Sequence, residues 1–196
     1  MKYSFPVLLA LIAIPAIAEN ARVLDAHEHG VGELNIAVDG KTVAMEFHAP
    51  GADIVGFEYA ATSAKDRAAI DAAVALLAKP LDLFVPTAAA ECSVIQAGAA
   101  LESEEKHDEH DHEKHSEHEA HKDHDDHAKA DASHTEFHAK YTLTCGNPDA
   151  LAGIDFPYFE AFENALELEV QIVTTSGAQA FEVERDRPML DLRGVF

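Results

Sequence analysis

The chain has 196 residues, with 14 Lys or Arg against 36 Asp or Glu and a formal net charge of −22. A field of that sign repels nucleic acid and anionic lipid and gathers cations, so nucleic-acid partners are excluded. The length suits one domain and is too short for the two α/β lobes of the solute-binding proteins that serve ABC importers.

Residues 1–18 have the parts of a secretory signal peptide. Lys2 supplies the charge, Val7 to Ile14 the apolar stretch and Ala16-Ile17-Ala18 the cleavage site. Cleavage is expected after Ala18, and with Lys2 gone 13 basic residues face 36 acidic ones, a balance of −23. The apolar run is short for a membrane span and no later stretch approaches one, so no membrane insertion is expected after cleavage. Residues 19–196 are then expected to form a single domain.

Residues 31–48 alternate apolar and polar side chains on either side of Asp39-Gly40, a hairpin signature. Leu34, Ile36, Val38, Val43, Met45 and Phe47 take the core face. Pro50 to Gly56 reads as a turn-rich link. A helix is expected from Ala64 to Ala78, with Ser63 as N-cap, Asp66 completing a capping box and Pro80 ending it. Leu81 to Val85 reads as a short strand. Two further strands, Cys92 to Leu101 and Thr135 to Cys145, flank a polar insert. After them come Pro157 to Asn164, either a short helix or a loop whose aromatics plug the core, a hairpin of Leu166 to Thr174 with Gln179 to Arg185, and an edge strand from Pro188 to Leu192. The fold class is α+β, mainly antiparallel sheet of seven or eight short, hairpin-rich strands with one or two helices.

The insert, at 102–133, is rich in His, Asp and Glu and has no apolar residue larger than Ala within its His-rich core. Such a segment buries too little apolar surface to offset its ordering entropy, so a long disordered loop is expected. Its imidazoles arrive about every third residue: His107, His110, His112, His115, His118, His121, His124 and His127, followed by His134 and His138. Imidazole is the commonest side-chain metal ligand, and it favours zinc, with copper or nickel as alternatives. The insert should hold several ions in interchangeable sites.

Two Cys in an exported chain suggest a disulfide, Cys92 to Cys145, with a metal-binding Cys pair as the alternative. Cys92 opposite Cys145 would set Val94 against Leu143, Gln96 against Tyr141 and Ala100 against Phe137. A bridge there would close a loop of about 53 residues, worth about 4 kcal/mol in the chain-entropy model.

A second constellation lies near the mature N-terminus. His27 and His29 point to one side of an extended chain, and a hairpin turning at Asp39-Gly40 sets Val31 opposite His48. His27, His29 and His48 would then converge as three zinc ligands, with Glu58, Asp25 or an insert histidine as the fourth.

Several blocks follow one order along the chain: Ala26-His-Glu-His-Gly-Val-Gly-Glu-Leu, Val55-Gly-Phe-Glu, the Cys92 segment, the acidic His-rich insert, His134-Thr-Glu-Phe-His-Ala-Lys-Tyr-Thr-Leu-Thr-Cys, and the final hairpin. In this the sequence resembles the ZrgA-type family of bacterial periplasmic zinc-binding proteins. That resemblance implies zinc handling in the periplasm in support of zinc import, with a zinc ABC importer or its solute-binding protein as partner. Where the family pattern often places a His after Val-Gly-Phe-Glu, this chain has Tyr59. No H-E-x-x-H motif or nucleophile elbow is present, so the protein is read as a binder rather than an enzyme. A zinc-dependent hydrolase and a nickel or copper store are the rivals.

Overall fold

The computed structural model describes residues 28–103 and 134–195. The leader, Asp25, His27 and the insert histidines from His107 to His127 lie outside the described residues. Among those described, nine strands and four α-helices, three of them of five residues or fewer, form an α+β domain. Strands β1 (Val31–Asp39), β2 (Thr42–Pro50), β4 (Cys92–Ser103), β5 (Thr135–Cys145), β7 (Glu167–Thr174) and β8 (Gly177–Glu184) make a six-stranded sheet ordered β4-β5-β2-β1-β7-β8. Strands β3 (Val85–Pro86), β6 (Gly153–Asp155) and β9 (Met189–Asp191) make a three-stranded one. All pairings are antiparallel except β1 with β7.

Alternation decides which face of the large sheet is buried. Leu34, Ile36, Phe47, Tyr141 and Val170 point inward, and Ile154 of the small sheet, with Leu192 just after β9, lines the same small apolar cavity as Ile36 and Ile172. Beside it an aromatic group closes the core, with Tyr158 against Phe47 at 5.4 Å and Phe84 at 5.9 Å between ring centres. Arg185 fastens this aromatic segment to the end of β8 by donating to the carbonyls of Ala165, Phe159 and Phe162. The opposite face of the large sheet is polar and carries the site described below.

Several expectations shift. The first hairpin turns at Gly40-Lys41, with Asp39 opposite Thr42, so His48 faces Glu33 rather than Val31. The parity of the faces is unchanged. Pro50 closes β2, and the link after it is a helical turn, α1 (Gly51–Val55). The next helix, α2 (Ala64–Leu77), is capped as expected, the Ser63 hydroxyl accepting from the Asp66 amide at 3.0 Å. Leu81 to Val85 is mostly α3 (Pro80–Leu83) instead of a strand, because Pro80 fits the first helical position and sets φ there. The fourth helix is α4 (Tyr158–Ala161).

Cys92 and Cys145 form the expected disulfide. Val94 meets Leu143 as expected, but a bulge at Ile95 then moves the register by one, so Gln96 meets Thr142 and Ala100 meets His138. Glu102 and Ser103 belong to β4, opposite Glu136 and Thr135, rather than to the insert. The bridge therefore staples the end of the β4–β5 ladder far from the insert. The last strand, β9, pairs with β6 in the small sheet.

Candidate metal centre

On the polar face, β2 and β5 run side by side with His48 directly opposite His138. The two rings sit 4.2 Å apart between centres, inclined by 46°. Glu136 lies two residues before His138 and therefore on the same face of β5, and its Oε2 is 2.5 Å from His138 Nε2. Donor atoms of His48, Glu136 and His138 all lie within 4.8 Å of one another. Glu102, from β4, stands 3.9 Å from His138 Nε2 and offers a fourth donor.

The donor set is two imidazoles and one carboxylate, with a second carboxylate at hand, which suits zinc in four-coordinate geometry. Ligating imidazole must be neutral. Burial, then the neighbouring His138, hold His48 below the ordinary imidazole value, against the opposing pull of Glu136, Glu33 and Glu46. His48 is thus in its ligand form at neutral pH.

A second group gathers around Glu58, which follows α1. The left-handed Gly56, φ 83°, ends α1 with its amide donating to the Ala52 carbonyl. The next residues carry Glu58 back toward the start of β1, where its side chain is only 14 % exposed. His29 Nε2 is 3.3 Å from one carboxylate oxygen, and His134 Nδ1 is 2.9 Å from the other. Beneath them the buried Asp53 accepts from the Gly30 amide at 2.8 Å. Burial pushes the Asp53 carboxyl up to about 6, with the Gly30 bond opposing.

The residues expected as ligands therefore divide. His48 joins His138, while His29 joins Glu58 and His134; His27 and the insert histidines from His107 to His127 lie outside the described residues. The two-residue change of hairpin register carries His48 from opposite Val31 to opposite Glu33, two residues further along β1 and away from His29. Tyr59 is exposed and stacks on Phe57 at 4.7 Å. Sequence reasoning missed Glu136. The signal was present, because His134-Thr-Glu-Phe-His on a strand puts His134, Glu136 and His138 on one face.

Residues 26–192 match the family model for ZrgA family zinc uptake proteins. The chain belongs to this family. No curated protein matches it. A ZrgA family member with a preassembled His/Glu cluster and a disulfide fits a zinc-related role, and among the described residues no helix is long and apolar enough to cross a membrane.

Proposed function

We infer that this chain is a non-enzymatic zinc binder of the periplasm that captures and buffers zinc and delivers it toward an inner-membrane importer. The cluster of His48, Glu136 and His138 carries this reading, because three donors already stand together on a rigid sheet before metal arrives. A preformed site avoids ordering entropy of about 1–2 kcal/mol for each backbone residue that a chain segment must otherwise fix. Two or three such residues correspond to roughly a hundredfold in affinity.

The insert histidines, His107 to His127, add capacity in this reading, as weaker sites that fill after the sheet site. The export signal at residues 1–18 and the disulfide agree with an oxidising compartment. An ABC importer or its solute-binding protein is the proposed acceptor. Catalysis is not part of the proposal, since a storage insert would add nothing to a single catalytic ion.

The test is a competition titration of the full protein and of the His48→Ala, His138→Ala double variant with zinc, copper and nickel. The double variant is expected to lose the tightest zinc class, by about a hundredfold or more, while still binding several ions weakly. An unchanged tightest affinity would place the high-affinity zinc elsewhere. Preference for nickel or copper over zinc in the parent, beyond the ordinary order of stability of these ions, would favour the storage alternative.

A further inference from the structure

We propose that His29, Glu58 and His134 form a second divalent-metal position, separate from the His48, Glu136 and His138 cluster and selective for zinc-like ions. It does not depend on the first cluster holding zinc. The Glu58 carboxylate is largely buried, and among the described residues it pairs with two imidazoles, one on each oxygen. Both carboxylate oxygens thus face ring nitrogens that can serve as metal donors, and a dication held among them would balance the carboxylate charge. Two His and one carboxylate, with a coordination position left open, are the ligands of an exchangeable zinc site.

The backbone holds these ligands from three separate segments. Gly30, beside His29, is fixed at both ends of its peptide: its amide donates to Asp53 at 2.8 Å, and its carbonyl accepts from the Leu166 and Glu167 amides at 2.8 and 2.9 Å. Its φ of 93° and the Leu166 side chain, 2.9 Å from where a Cβ would stand, leave room only for glycine. Glu58 is delivered by the turn at Gly56, and His134 directly precedes β5. Asp53 acts here as a positioning residue through Gly30. Its other oxygen is buried and has no hydrogen-bond partner among the described residues.

The imidazole rings, 64 % and 50 % exposed, are free to turn onto a common ion. This distinguishes the second position from the first, whose donors already lie within 4.8 Å of one another. It joins the turn before β1, the link after α1 and the start of β5, so an ion here ties together three stretches that are distant in sequence. His134 directly precedes β5 and His138 lies four residues further on, which at the rise of an extended chain puts the two residues roughly 13 Å apart.

The experiment is carbethoxylation of histidines in the full-length protein, mapped residue by residue by mass spectrometry, with chelator and with zinc in excess over all thirteen histidines. Zinc is expected to slow modification of His29 and His134 by about tenfold or more, the figure for nine-tenths occupancy. Glu58→Gln keeps the shape of the side chain and should abolish that protection at both residues, leaving zinc protection of His48 and His138 intact. A melting curve of the variant confirms that it is folded, and His29→Ala, which removes an exposed side chain, should likewise expose His134. Unchanged modification rates at His29 and His134, or protection that survives Glu58→Gln, would overturn the proposal. Loss of protection at all four histidines in Glu58→Gln would overturn the separation of the two positions. Protection of His29 and His134 with none at His48 and His138 would sink the preceding functional reading and leave this one standing.

Discussion

Asp53 is a buried carboxylate whose one identified hydrogen bond, from Gly30, does not offset its loss of water. Its folded pKa of about 6 lies above its ordinary value of 3.8, so between these values the folded state binds more protons than the unfolded state. Stability tied to Asp53 is therefore fully present below pH 3.8 and is lost as pH rises through about 6. The penalty at pH 7 is on the order of 2–3 kcal/mol. Asp53→Asn keeps an oxygen to accept from Gly30 and cannot ionise. In chelator, its melting temperature should match the parent's near pH 4 and exceed it by several degrees at pH 7. An equal difference at both pH values would show that ionisation of Asp53 is not the cause. His48 works in the opposite sense. Its lowered pKa keeps the ring neutral, so the two residues divide the tasks of holding the loop and offering a lone pair.

At the scale of elements, alternation made β1, β2, β5 and β7 legible, because each has one face in the core and one in water, and Ser63 marked the start of α2. What stayed hidden was non-local or too short. The parallel pairing of β1 with β7 joins strands more than a hundred residues apart, and no turn between them encodes it. Strands β6 and β9 have three residues each, too few for a period to show. The bulge at Ile95 moves one register by a residue, and the turn at Gly40-Lys41 moves another by two. The second shift decides which histidines meet, so the ligand types could be read from the sequence while their grouping could not.

Element α1 shows how tightly the link to Glu58 is packed. A Cβ on Gly51 would stand 2.5 Å from the Thr135 hydroxyl oxygen and 2.7 Å from the Phe57 carbonyl. Both residues neighbour ligands of the Glu58 position, and the carbonyl belongs to the backbone and cannot turn aside. Gly51→Ala should destabilise the protein by about 1–3 kcal/mol through overpacking. Denaturant unfolding should show a lower midpoint with little change in slope. An unaltered midpoint would mean that α1 can shift away from β5 at no cost.

For the molecule as a whole, the polar face of the large sheet links charge to capture. Glu182, Glu169, Glu33, His48 and His138 stand in register across five adjacent strands, so a row of carboxylates runs from β8 to the imidazole pair. The crowding is felt at Glu167, which burial and then Glu182, Glu169, Glu184 and Glu28 hold above its ordinary value. Such a face raises the local concentration of cations beside the cluster.

The His-rich insert joins β4 to β5, whose ladder runs from the disulfide at Cys92 and Cys145 to Ser103 opposite Thr135. The ladder is closed at both ends within the described residues, so the fold should not need the insert. Replacing residues 104–133 by Asn-Gly leaves, with His134, a three-residue turn between Ser103 and Thr135, a length common in hairpins. Loop-closure entropy then favours the shortened protein by about 2 kcal/mol at most, and its melting temperature should not fall. Zinc stoichiometry should drop, while the tightest zinc class should keep its affinity, because His48, Glu136 and His138 all lie outside the replaced segment. Unchanged stoichiometry would remove the insert's storage role. Loss of the tightest class with the fold intact would mean that the sheet cluster draws an essential ligand from the insert.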